Sequence, residues 1–249
     1  MKGVLNMSEE AKVLLCGDSA VTVQFGETAK ISINQKVRAF EQLLLKNKPR
    51  GILETIPTYR SLMIYYDPLT LQIADLRQYL LELAGFLSDE EVQAENEGIR
   101  VPVWYQPPGS EIEMVAEYEN KSVEEIVRIH TQHEHYVFML GFTPGNAYIG
   151  CPQKTFSIPR KSTPTARPYA GSVAVWSNQT GIGGALTSPT GWYSLGRSPL
   201  LPYDPRRSEP ILFKSGQWIQ FYAIDADQYT QIEHEVREMR YVPELYQHK

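Results

Sequence analysis

The sequence predicts an α+β protein in two parts: an N-terminal two-layer α/β unit with element order ββαββα, and a C-terminal unit of short strands packed as a barrel or sandwich. Three observations predict it. Residues 20–87 switch between hydrophobic periods of two and 3.6 residues. Residues 88–98, "SDEEVQAENEG", are acidic and poor in core residues, which marks a solvated connection. Residues 141–222 are dense in Gly and Pro between short strand-like runs, a pattern of turns and antiparallel strands rather than βαβ units. The domains are accordingly placed at residues 1–90 and 99–240.

Along the first unit, "AVTVQFG" (Ala20 to Gly26) alternates apolar and polar residues like a half-buried strand. "INQKVRAFEQLLLKN" follows with Val37, Phe40 and Leu44 at helical spacing. "GILETIP" and "SLMIYYD" are two strands separated by the polar corner Thr58-Tyr59-Arg60, and Asp67-Pro68 ends the second. "LQIADLRQYLLELAGFL" places Ile73, Leu76, Leu80, Leu83 and Leu87 on one face of a second helix. In the second unit, "IRVPVWY" reads as a strand, and "SVEEIVRIHTQHEHYVFML" opens as a helix with Ser122 as N-cap and Glu125 three residues later. "GSVAVW" and "GQWIQFYAI" are further strands. "DADQYTQIEHEVREM" is a helix with a mostly solvated face.

Composition excludes several functions. The 249 residues carry a formal net charge of −5, which leaves no basic field for a nucleic-acid backbone. No segment reaches the ~18 to 20 apolar residues of a membrane helix, and the first ten residues lack the apolar stretch of a secretory signal, so a cytoplasmic protein is expected. Two cysteines, Cys16 and Cys151, cannot build a disulfide framework or a four-cysteine zinc site.

The candidate chemistry is sparse. "GIGGA" (Gly181 to Ala185) has no Lys-Ser/Thr pair after it and reads as a hairpin turn rather than a phosphate loop; Ser172 in "AGSVA" has no nucleophile-elbow context. His130, His133 and His135 invite a metal, but on one helix His135 would stand about 140° from His130, and no Cys or carboxylate pair completes a site. No metal is expected on this chain. His130 reads either as a residue bordering the core or as a neutral imidazole at a pocket rim, able to exchange a proton near neutral pH. Arg160, Arg167 and Arg197 each stand beside Pro or Gly at a strand end, where a planar guanidinium fork suits carboxylate or phosphate oxygens. The alternative is that they solvate loop ends.

"CGDSAVTVQFG", "HEHYVFMLGFTPGNAYIG", "IPR", "AGSVAV", "QTGI" and "SPTGWYSLGRSP", in this order, resemble the bacterial KipI family, which includes the B subunit of 5-oxoprolinase and is also called allophanate hydrolase subunit 1. The resemblance implies that the C-terminal unit is a cyclophilin-like β-barrel. It also implies a non-autonomous component of an ATP-dependent 5-oxoprolinase, working with one partner that resembles a carboxyltransferase and another that opens the lactam. Carried onto this chain, it implies a pocket lined by His130 as the catalytic candidate, with Tyr136, Phe142, Pro144, Gly145, Tyr148, Arg160, Arg167, Gln179, Gly191, Trp192 and Arg197 binding substrate. The implied ligand is a small cyclic amide carboxylate against Tyr148 and Trp192, with its carboxylate on Arg160 or Arg197. A lactam carbonyl is a poor electrophile, and phosphorylating its oxygen makes it attackable, which is why ATP is implied. The chain shows no nucleotide loop, so ATP is expected at a surface shared between subunits. Two alternatives stay open: inhibition of a sensor histidine kinase, and work on a urea-derived substrate such as allophanate. Asn146, Tyr169, Gly183 and Thr190 depart from the family's usual pattern.

Overall fold

The computed structural model describes residues 11–87, 97–166, 169–184 and 189–248, and the chain divides into two compact units, residues 1–94 and 95–249. The acidic segment "SDEEVQAENEG" therefore lies, up to residue 96, outside the described residues.

The first unit runs β1 (Lys12–Leu15), β2 (Ala20–Gln24), α1 (Ile31–Lys46), β3 (Ile52–Pro57), β4 (Ser61–Tyr66) and α2 (Ile73–Gly85), the ββαββα order expected. Its four strands are antiparallel in the order β1-β2-β4-β3. Alternation places Val21 and Val23 beside Leu62 and Ile64 on one face, where they meet Val37, Phe40 and Leu44 of α1 and Leu76, Leu80 and Leu83 of α2, all buried. Phe25 and Phe40 lie 5.2 Å apart as a tilted pair. The one fully buried polar side chain described in this core, Asn34, is satisfied because its Nδ2 donates to the Thr58 carbonyl of the β3–β4 corner at 2.9 Å. Asp67 stops the second hairpin by accepting from the Thr70 hydroxyl and the Leu69 amide, bonds that hold its carboxyl below the ordinary carboxylate range.

The second unit runs β5 (Glu97–Val103), α3 (Ile112–Glu119), α4 (Val123–Gln132), β6 (His135–Leu140), β7 (Ala147–Gly150), β8 (Thr165–Ala166), β9 (Ser172–Trp176), β10 (Gln179–Ile182), β11 (Pro189–Thr190), β12 (Tyr193–Arg197), β13 (Trp218–Ala223), α5 (Ala226–Arg237) and β14 (Leu245–Gln247). Eight strands make one sheet in the order β12-β9-β10-β7-β6-β13-β5-β14, antiparallel except for the parallel pair β13–β5. Among the described residues no ladder closes this sheet into a continuous barrel. A single bridge turns it back on itself: Trp104, just after β5, and Arg197, the end of β12, exchange N–H···O bonds of 2.9 and 2.8 Å. The bridge requires close backbone approach, and Gly196 supplies it, since a Cβ there would stand 2.5 Å from the Trp104 carbonyl oxygen.

The capping box forms at α4, where Ser122 accepts from the Glu125 amide and Glu125 accepts from the Ser122 amide. The helix ends at Gln132, so His133 caps it and His135 belongs to β6; the three histidines do not share a helix. Helix α3 is not among the expected elements. Its signal is short: Ile112, Val115 and Ala116 are buried on one face, and Asn120 adopts the left-handed conformation that ends it. Within "GIGGA", Gly181 and Ile182 belong to β10 rather than to a turn, and the Gly183 amide still donates to the Ser172 carbonyl across in β9, while Ala185 lies outside the described residues; β9 and β10 are joined by the turn Ser177-Asn178, with Ser177 at φ 50°.

Candidate functional site

The described residues among those expected to line one pocket fall into four separate places within the second unit. His130, on the buried face of α4, lies wholly inside the core. Its Nδ1 is 2.7 Å from the Tyr105 hydroxyl and its Nε2 3.1 Å from Thr180 Oγ1, and its ring stacks 4.5 Å from Phe221. Burial, together with the neighbouring His135, drives its pKa well below the usual imidazole value. It is therefore neither at a rim nor bordering the core, and it stays neutral where an exchanging imidazole would titrate. Tyr136 is also core, packed edge-on against Phe138 at 5.1 Å and Trp218 at 5.2 Å.

The "GFTPGNAYIGCP" segment is the β6–β7 hairpin. The Gly141 amide donates to the Asn146 carbonyl at 2.7 Å and the Asn146 amide to the Thr143 carbonyl at 2.9 Å, a tight loop that leaves Phe142 and Pro144 exposed. Gly145 takes φ 78° with its backbone against Pro202 and Tyr203, where a Cβ would come within 2.6 Å of the Pro202 carbonyl carbon. Tyr148 lays its ring over Gly141. The glycines thus serve loop-to-loop and ring-to-backbone packing inside the fold.

Arg197, at the end of β12, is already answered by its own protein. Its Nε donates to the Ala170 carbonyl at 3.1 Å, its Nη2 lies 3.4 Å from Glu233 Oε1, and its guanidinium carbon sits 5.5 Å from the Tyr169 ring and 5.0 Å from the Tyr229 ring. Arg167 lies outside the described residues.

Arg160 is different. It is exposed, its guanidinium carbon stands 5.5 Å from the Trp176 ring centroid, and no carboxylate among the described residues pairs with it. Trp192 is tilted against Trp176 at 6.1 Å and covers Gly181, where a Cβ would meet the indole at 3.0 Å. A Cβ at Gly191 would lie 3.2 Å from Arg160 Nε, so glycine keeps the fork against the backbone. Gln179, opposite Trp176 in the β9–β10 ladder, is half-buried beside them. The structure therefore brings Arg160, Gln179, Gly191 and Trp192 together and adds Trp176, which the sequence shows only as the residue closing the strand "GSVAVW". Arg160 and Arg197 do not converge. The first sits at the Gly191–Trp192 end of β12 and the second at the other end, about 16 Å away along an extended strand.

Chemically, the Arg160 group is a planar cation, without an ion-pair partner among the described residues, over an indole face and flanked by a second indole and a side-chain amide. It can hold a carboxylate through the fork and a small flat ring against the indoles. Phosphate-loop geometry is missing among the described residues: Gly181 lies within β10 and leads into no helix, so these residues make no nucleotide cradle of that kind.

Comparison with known proteins places this architecture. The carboxyltransferase domain family, subdomain C and D, matches residues 11–213. The B subunit of 5-oxoprolinase from Bacillus subtilis (strain 168) is 32% identical over 228 residues, covering 86% of this chain and 92% of that protein. The crystal structure of TTHA0988 is 32% identical with a TM-score of 0.71, covering 83% of this chain, which spans 40% of the length of that one. Kluyveromyces lactis urea carboxylase shares the fold alone, at 14% identity and a TM-score of 0.76, over 95% of this chain and 24% of its own. Matched in sequence from the first described strand to Phe213 and in fold over most of its length, the chain belongs to the carboxyltransferase domain family, subdomain C and D, among the relatives of the 5-oxoprolinase B subunit.

Proposed function

We propose that this protein is one component of an ATP-dependent 5-oxoprolinase-type complex and that it contributes the binding surface for a small cyclic amide carboxylate. The family relation supports the complex: the Bacillus subtilis relative is named as one subunit of 5-oxoprolinase, and the match covers 92% of its length. The observation that carries the ligand class is Arg160, an exposed guanidinium without an ion-pair partner among the described residues, held over Trp176 beside Trp192. Its fork meets the carboxylate, the indoles meet the ring, and Gln179 offers an amide to a ring carbonyl or N–H.

His130 takes no proton-transfer step in this reading, because it is enclosed and held neutral. ATP belongs to the assembled complex, with the carboxyltransferase-like and lactam-opening proteins as partners, and the complex is cytoplasmic. The test is co-expression with those candidate partners and measurement of 5-oxoproline-dependent ATP hydrolysis. The complex should turn over and the isolated chain should not. ATP-dependent turnover by the isolated chain, or a complex indifferent to 5-oxoproline, would overturn the assignment.

A further inference from the structure

Residues 151–164 join β7 to β8 without helix or strand, and they carry Arg160. A connection of this length inside a compact unit is usually functional, and its backbone N–H groups must find partners outside any ladder. Two carboxylates at the ends of the short helix α3 take hold of it. The Ser157 and Ile158 amides donate to Glu119 Oε1 at 2.6 and 2.9 Å, and the Ser157 hydroxyl donates to the same oxygen at 3.1 Å. Further along, the Lys161 ammonium, on a side chain only 9% exposed, pairs with Glu111 Oε1 and donates to Thr165 Oγ1 at 2.8 Å. Glu111 is itself fixed to β12: its Oε2 accepts from the Ser194 amide at 2.9 Å, and its own amide donates to the Ser194 carbonyl at 2.7 Å.

Neither carboxylate serves the helix it belongs to. Glu111 stands at the N-cap, but its side chain makes no capping bond; Glu119 is the last residue of α3, where the negative end of the helix dipole disfavours a carboxylate. Both are turned to the connection instead, through charge-assisted bonds that are stronger than neutral ones. Between their two points of attachment lie only Pro159 and Arg160. Phe156 and Ile158 are buried as apolar anchors, the Ile158 carbonyl accepts from the Ser177 amide at 2.9 Å, and the Lys161 amide donates to the Gly191 carbonyl at 2.8 Å. The Pro159 ring fixes its own φ. The Arg160 backbone is thereby held on both sides, and its guanidinium reaches Trp176 from a fixed root.

We propose that Glu119 is a positioning residue for the Arg160 fork, with Glu111 as a second pin acting through Lys161. A fork whose root is fixed meets a carboxylate without first having to be ordered, and the affinity gained is the ordering cost avoided. The kinetic consequence rests on the reading of Arg160 as the carboxylate contact; the geometric one does not.

The test has two readouts. In the full chain, the heteronuclear NOE of the Arg160 Nε–H group, assigned by its loss in Arg160→Lys, reads the mobility of the fork: it should fall in Glu119→Ala. Glu119→Gln, whose amide oxygen can still accept from both backbone N–H groups, should restore it. In the assembled complex, Glu119→Ala should raise KM for 5-oxoproline by about threefold to tenfold with kcat little changed, Glu119→Gln should recover most of this, and in an Arg160→Ala background Glu119→Ala should add nothing further. A purely structural role would lower the folded fraction but leave these couplings absent. Should Glu119→Ala not fold, Glu119→Asp, which keeps the charge and withdraws it by one methylene, gives the same reading. An unmoved NOE, a KM unchanged in Glu119→Ala while Arg160→Ala raises it, or a Glu119→Ala effect undiminished without Arg160 would each overturn the proposal. If Arg160→Ala itself leaves KM unchanged, the ligand reading fails and the NOE alone decides the positioning.

Discussion

The Arg197 guanidinium lies 5.0 Å from the Tyr229 ring and 3.4 Å from Glu233 of the same helix, which ties the end of β12 to α5. This is a fold contact made through a residue that reads as a ligand anchor. Arg197→Met should lower stability by about 1–3 kcal/mol, through loss of two cation–π contacts and the bond to Ala170. Urea unfolding measures it as a reduced midpoint. The folded fraction should bind ligand as the wild type does, and an unchanged midpoint would show that the cage contributes nothing.

For Arg160 the expectation is reversed. Arg160→Ala removes an exposed side chain with no ion-pair partner among the described residues and one exposed cation–π contact, so stability should fall by no more than about 1 kcal/mol. The assembled complex should meanwhile lose at least tenfold in apparent affinity for 5-oxoproline. Arg160→Lys should recover only part of this, because an ammonium cannot make the paired contacts of a planar fork. Steady-state ATP hydrolysis against 5-oxoproline concentration separates the two outcomes, and full activity in Arg160→Ala would remove the carboxylate contact.

How much of this is legible in the sequence follows from the range of each signal. Val37, Phe40 and Leu44, and likewise Leu76, Leu80 and Leu83, state their helices through local periodicity, and all six are buried. Ser122 and Glu125 state their cap for the same reason. Arg160 and Arg197 look alike in sequence because each is an arginine beside a turn. What separates them is Glu233, Tyr229 and Tyr169, which lie up to 36 residues from Arg197 and reach it only once α5 packs against the sheet. His130 is ambiguous in the same way: the face of α4 it occupies is visible as periodicity, but the Tyr105 and Thr180 hydroxyls that seal it come from just beyond β5 and from β10. Long-range contacts decide which arginine is spent and which histidine is enclosed, and hydrophobic period does not encode them.

The buried imidazoles make stability depend on pH in a defined direction. His130 and His135 are neutral in the fold, their pKa values lowered mainly by burial, that of His135 to about 3. Both titrate near 6.5 when unfolded. The unfolded chain therefore binds more protons below that pH, so the stabilisation is complete above about pH 6.5 and is lost as pH falls. Each histidine contributes a slope of at most about 1.4 kcal/mol per pH unit. Urea unfolding between about pH 6.5 and 5, above the range where ordinary carboxylates titrate, should show a steep loss. His135→Phe, a ring that fits between His130 and Phe221, should remove about half of it. An identical slope in that variant would mean that His135 is not held neutral.

Gly145 tests why the β6–β7 hairpin is so rich in glycine. If its backbone is needed against Pro202 and Tyr203, Gly145→Ala should be costly twice over, since the residue sits at φ 78° and the new Cβ would meet Pro202 at 2.6 Å. A loss of about 1–3 kcal/mol in urea unfolding is expected. Thr143→Ala in the same loop, whose part is played by its backbone carbonyl, should stay within about 0.5 kcal/mol. The contrast matters because a glycine kept for ligand access would behave differently: Gly145→Ala would then leave the unfolding midpoint unchanged while weakening 5-oxoproline-dependent turnover. Loss of stability with turnover retained per folded complex assigns the hairpin to packing, and it makes the loop that follows β12 part of what holds Phe142 at the surface.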